Sequence, residues 1–123
     1  MKKINWRKKA HKGWVNVEID LPAFMKFARK QEKCFYVKRG NKNEVKGRID
    51  RFKKFVTDNP KTKIVPAEFY FLIDKKTYKF ELIIVNGRHR LASLLEDGYK
   101  TAVVSIPKEQ KLMFSEFYKY VER

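Results

Sequence analysis

The sequence predicts an α/β (α+β) fold, a single compact domain with a small mixed sheet flanked by helices, and three observations carry that expectation. Segments of strand material, one of them (14–19) partly alternating, recur along the chain, separated by segments whose apolar residues fall three and four apart. One nearly continuous apolar run, 82–85, enters Asn86-Gly87 and continues directly into helical spacing. A chain of 123 residues with 43% hydrophobic and 15% aromatic content builds one core and hardly two. The expected organisation is a basic N-terminal arm, 1–13, followed by one domain, 14–123.

The arm holds Lys2, Lys3, Arg7, Lys8, Lys9 and Lys12 around Ile4 and Trp6, and it is expected to be loosely ordered. Residues 14–19 alternate partly as a strand should. Asp20 then caps a helix with Pro22 in its first turn and Leu21, Phe24, Phe27 and Ala28 on one face. Residues 35–37 read as a short strand and 38–43 as a polar, basic loop. From Glu44 the helical period returns. Val45, Ile49, Phe52, Phe55 and Val56 form the apolar stripe, Lys46, Arg48, Arg51, Lys53 and Lys54 crowd the remainder, and Asn59-Pro60 ends the helix.

Residues 64–65 and 68–73 are strand material, Asp74-Lys75-Lys76-Thr77 is a hairpin turn, and 78–85 is the returning strand, with 82–85 expected to be buried on both faces. Leu91, Ala92, Leu94 and Leu95 line one side of a short helix that stops at Asp97-Gly98. Residues 101–106 form another strand. Pro107 opens a last amphipathic helix, 107–123, whose Leu112, Met113, Phe114, Phe117, Tyr120 and Val121 serve the core or a homodimer or partner-helix contact.

Thirty Lys and Arg against fourteen Asp and Glu give a formal charge of +16 and a pI near 10.0. Such a surface repels itself unless a polyanion shares it, so nucleic acid is the expected partner, DNA ahead of RNA. No apolar run approaches the roughly 20 residues of a membrane span, and the N-terminus lacks a signal-peptide core, so a cytoplasmic protein with no membrane partner is expected. Cys34 is the sole cysteine, which excludes an internal disulfide and a multi-cysteine zinc site. With only His11 and His89, a metal site needs carboxylates. Glu68, Asp74 and Glu81 are the candidates, at spacings that do not stand out, so no metal ligands are assigned.

The segment Asn86-Gly87-Arg88-His89-Arg90 concentrates the chemistry. A glycine turn between strand and helix lets the backbone approach a ligand, the first N–H groups of the helix lack intrahelical acceptors, and two arginines and a histidine add charge where the helix dipole already favours an anion. Asn86, Gly87, Arg88, His89 and Arg90 are therefore the expected phosphate-binding residues. Arg88 and Arg90 act through their planar forks, and His89 is a donor or general acid. His89 and Arg90 are the catalytic candidates. Lys8 and Lys9 of the arm, with Lys46, Arg48, Arg51, Lys53 and Lys54 of the basic helix, are the expected nucleic-acid contacts.

The order strand, helix, basic helix, hairpin, Val85-Asn86-Gly87-Arg88-His89-Arg90-Leu91-Ala92, short helix, glycine, strand resembles the ParB/sulfiredoxin-like superfamily, closest to ParB-like proteins of the plasmid fertility-inhibition type. The resemblance spans residues 14–107, and its specific part is 85–92 with the helix, glycine and strand after it. It implies a strand entering a turn that binds nucleotide phosphate, with Gly87 and Arg90 as phosphate contacts and His89 beside them. It also brings in a possible nuclease or nucleoside triphosphate hydrolase activity of a plasmid, phage or toxin system, with a nucleotide and Mg as cofactors. Sulfiredoxins carry a catalytic cysteine where this chain has Arg88, which disfavours peroxiredoxin repair. Chromosome-segregation ParB proteins carry a downstream nucleotide segment and a helix-turn-helix domain that this chain lacks. A nucleic-acid-binding module, such a hydrolase, and an inhibitor that occupies a nucleic-acid-processing protein remain the three function classes.

Overall fold

A computed structural model describes residues 3–30 and 42–118, without the side chains of 42–46, 48 and 88. The short strand expected at 35–37, Cys34, the side chains of Lys46, Arg48 and Arg88, and residues 119–123 with Tyr120 and Val121 lie outside that description. The chain folds as a small α+β domain in the order β1 (Trp14–Asp20), α1 (Leu21–Lys30), α2 (Lys42–Asp58), β2 (Ala67–Ile73), β3 (Phe80–Asn86), α3 (Arg88–Glu96), β4 (Thr101–Pro107) and α4 (Lys111–Phe114). The sheet order is β1-β4-β2-β3. β1 and β2 pair antiparallel with β4 and β3 respectively, and the central β2–β4 contact is parallel and short, joining Ala67 to Val104 and Glu68 to Ser105.

Helix α1 begins where the sequence places it. The Asp20 carboxylate accepts the Ala23 N–H at 3.1 Å, and Leu21, Phe24, Met25 and Ala28 are buried at the spacing of one helical face. That face packs on the apolar side of the sheet. Phe24 meets Phe69 edge-on at 4.8 Å and Phe117 at 5.4 Å, while Phe71 lies 4.7 Å from Phe114. Leu91, Ala92 and Leu94 of α3 join the same core, and α2 docks outside on α3.

Several expectations are corrected. The arm is held in place: Trp6 bridges to Ile64, Arg7 donates its N–H to the Ile64 carbonyl at 2.9 Å, Ile64 donates to Asn5 at 2.7 Å, and Ile4 is buried. The unpaired backbone of Ile64 supplies the partner that a free tail would lack. β3 begins at Phe80 and not at Tyr78, because the hairpin turn runs on through Tyr78, whose φ is 56°. It is also an edge strand. Leu82 is buried, but Val85 remains 54% exposed, and among the described residues no further strand pairs with the outer side of β3.

The remaining corrections concern the ends of helices. α2 starts at Lys42, inside the segment expected to be loop. Pro107 ends β4 in an extended conformation (φ −59°, ψ 135°) and opens no long helix. The chain then passes through a short 3₁₀ turn, the four-residue α4 and a second 3₁₀ turn to Tyr118, which bridges back to Ile19. Phe114 and Phe117 plug the core while Leu112 stays exposed, so no continuous apolar stripe survives among the described residues of 107–118. Anchoring both aromatic rings and the strand bridge overrides the helical period that the sequence carries.

Candidate functional site

Gly87 sits in the left-handed region (φ 86°, ψ 6°) at the junction of β3 and α3. A side chain there meets the backbone as well as strain: a Cβ would lie 2.5 Å from Ala67 Cβ and 2.7 Å from Ala67 Cα. The glycine therefore lets the turn press against the entry of β2. The N-cap, Gly87, supplies no side-chain hydrogen bond and the first turn contains no acid, which leaves the positive end of the helix dipole uncompensated by its own residues.

Arg90 does not project freely from this turn. Its guanidinium folds back and donates Nη1–H to the Val65 carbonyl, just before β2. Burial lowers its pKa and the nearby Glu68 carboxylate opposes that shift. His89 is half-buried on the first turn of α3. The turn is thus a packed feature in which one arginine fork is partly engaged by the protein.

The segment 65–68 that receives Arg90 also receives the arm. Glu68, largely buried, accepts a hydrogen bond from Asn86 Nδ2 at 2.6 Å, and His11 Nε2 stands 3.7 Å from the same oxygen. Asn16 donates its Nδ2 hydrogens to the Arg7 and Lys8 carbonyls at 3.0 and 3.1 Å, pinning the arm above the sheet. A cleft between arm and sheet is lined by Arg7, Lys9, His11, Asn16, Glu68 and Ser105, with Val65 and Pro66 at its side.

Strand register explains why these residues meet. Asn16 pairs with Ser105, Ser105 with Glu68, and Glu68 with Asn86, so four polar side chains form a row across all four strands. On β1, β4 and β2 the adjacent Val17, Val104 and Phe69 point to the apolar side. A bulge between Glu68 and Phe69 brings Asn86 into the row. Asn16 Oδ1, Ser105 Oγ and Asn86 Oδ1 are buried without a hydrogen-bond partner among the described residues.

The basic helix is placed differently. Lys53 Nζ lies 3.3 Å from both Glu96 and Asp97, at the C-terminal end of α3. Burial works against its charge, but the two carboxylates outweigh that and raise its pKa. Nine helical residues separate that end from Gly87, a distance of about 13 Å at 1.5 Å per residue. Lys53 is therefore taken up by a helix–helix ion pair at the end of α3 remote from the glycine turn. Arg51 and Lys54 are exposed on α2, as are Lys8 and Lys9 on the arm.

Among the described residues no three His, Cys, Asp or Glu side chains converge as a metal site. Glu68 and Asp74 occupy opposite ends of the β2 segment, and Glu81 pairs with Leu72 between them. No helix among the described residues is long and apolar enough to cross a membrane.

No family model matches the chain, and neither a curated protein nor a solved structure is significantly similar to it. The site must be read from its own residues. Sequence reasoning singles out the turn but not its companions: Asn16 and Ser105 belong to no motif, His11 stands alone, and Glu68 is only a possible metal ligand. Their signal is a polar residue within each apolar strand, which becomes a site only when register aligns them.

Proposed function

We propose that this chain is a nucleic-acid-binding protein that holds backbone phosphate where the N-terminal arm meets the Gly87 turn. The observation that carries the reading is convergence: the basic arm, Arg90 and the uncapped start of α3 all pack on the single segment 65–68 of a chain with a net charge of +16. Arg7 and Lys9 supply fork and point charges, the helix start supplies amide dipoles, and both favour an anion with several oxygens. Exposed Lys8, Arg51 and Lys54 extend the positive surface along which a backbone runs. DNA is the first partner to test, with RNA beside it. Affinity for duplex DNA, single-stranded DNA and RNA is measured against salt. Affinity that falls steeply and linearly in log–log form supports the reading, and binding indifferent to salt, or absent at low salt, removes it.

A second reading comes from the resemblance of residues 85–92 to the ParB/sulfiredoxin-like turn: a nuclease or nucleoside triphosphate hydrolase working with a nucleotide and Mg. It draws support from Glu68, a buried carboxylate beside the basic turn with His11 near it. Turnover of DNA or nucleotide with Mg that is lost in Arg90→Ala or His89→Ala supports this reading. Absence of turnover with divalent metals counts against it.

A further inference from the structure

We propose that the row Asn16, Ser105, Glu68 and Asn86 is a base-reading site strapped over by the arm, which takes the amino edge of an unpaired nucleobase in a single-stranded segment. The inference rests on the nucleic-acid reading above and assigns the kind of strand and the group recognised.

The row has one chemical character. Asn16 commits both hydrogens of its amide side to the Arg7 and Lys8 carbonyls, which turns its Oδ1 away from the arm as an acceptor. Asn86 commits its amide nitrogen to Glu68, which leaves its Oδ1 an acceptor as well. Glu68 as a carboxylate accepts only, and Ser105, 4% exposed with an unpartnered Oγ, adds a hydroxyl. Three buried oxygens without a protein partner among the described residues call for hydrogen-bond donors from outside the chain. The floor is complementary to N–H donors.

The rim decides which donors. Arg7, Lys9 and His11 surround the cleft, and Arg90 stands close enough to feel Glu68. These charges oppose a metal ion or a free ammonium. They favour a neutral donor carried on an anion, and the amino group of cytosine or adenine flanked by phosphates is that combination on a nucleic-acid strand. A duplex hides those amino groups in pairing, so the strand must be single or locally opened.

Size supplies the strap. Under the arm the cleft has room for about one water molecule, too little for a base. The arm is anchored by the Trp6–Ile64 bridge and its flanking hydrogen bonds, whereas above the row it rests on the Asn16 amide and on His11. Lifting the part from Lys8 to Lys12 opens the row and leaves the basic side chains tethered beside it.

The test uses the full chain carrying Trp14→Phe, which leaves Trp6 as the only tryptophan and a reporter of the arm. Binding of dC12 and of the matching oligomer of pyrimidin-2-one, which lacks only the 4-amino group, is measured at one salt concentration. The expected result is about tenfold tighter binding of dC12, a shift in Trp6 emission on binding it, and a preference that falls toward one in Glu68→Gln and in Ser105→Ala. Equal affinity for the two oligomers overturns the base site while phosphate binding stands. A preference that survives both substitutions overturns its assignment to this row. Failure of both oligomers to bind at low salt overturns the nucleic-acid reading and this inference with it.

Discussion

Gln110 takes the place of a β-strand beside Phe71. Its Oε1 accepts the Phe71 N–H at 2.7 Å and its Nε2 donates to the Phe71 carbonyl at 2.9 Å. β2 leaves β4 after Glu68, so one side-chain amide serves both backbone groups of Phe71 beyond the end of the β2–β4 pairing.

Gln110→Ala leaves a part-buried N–H and C=O unpaired. The expected loss is about 1–3 kcal/mol of stability, read as a lower urea midpoint with little change in slope. Gln110→Glu sets a carboxylate oxygen against the Phe71 carbonyl, so at neutral pH it is expected to be no more stable than the alanine variant.

Two glycines with nearly the same backbone separate strain from contact. Gly98 has φ 85° with open space where a Cβ would go, whereas Gly87 at φ 86° faces the Ala67 backbone. Gly98→Ala is expected to cost about 1–2 kcal/mol from left-handed strain alone. Gly87→Ala is expected to cost clearly more and to weaken nucleic-acid binding, because the turn must lift from β2. Thermal melts and binding isotherms of the pair check both statements; equal losses sink the close-packing argument.

Lys53 and Lys9 should behave differently toward salt. Lys53 is already engaged by Glu96 and Asp97, all three partly exposed, so Lys53→Met is expected to cost at most about 1 kcal/mol of stability and to leave the salt dependence of binding unchanged. Lys9→Met is expected to reduce the slope of log K against log salt by about one. The same slope change in both variants contradicts this division of the basic residues.

Asp74 gives the hairpin a pH dependence with a defined sign. Its carboxylate accepts the Lys76 N–H at 2.8 Å and lies near the Thr77 N–H, and these bonds lower its pKa. A depressed acid contributes stability above its unfolded value, about 3.9, and loses it as pH falls through the lower folded value. Amide exchange in β2 and β3 is expected to speed up as pH is lowered through that window, after correction for intrinsic exchange, and Asp74→Ala to remove the effect. Exchange that varies with pH identically in both proteins refutes it.

Much of the local structure is written in the residues. The Asp20 cap, the apolar face of α1, the turn at Asp74 and the glycine between β3 and α3 stand where sequence spacing places them, because each depends on interactions within a few residues. The C-terminal helix is the counterexample: its period is helical, but Phe114 and Phe117 are claimed by rings on α1 and β2 that lie far away in sequence. β3 misleads for a related reason, since apolar composition does not say which strand ends at the edge of the sheet.

The charge, the α+β class and the strand–glycine–helix turn follow from composition and short-range spacing. Long-range packing alone brings Lys53 to Glu96 and Asp97, pins the arm along Ile64, and lines up Asn16, Ser105, Glu68 and Asn86 in one row. The physical reason is register: a shift of one residue in any strand pairing sends a side chain to the opposite face, and no local signal in the chain fixes four such positions at once.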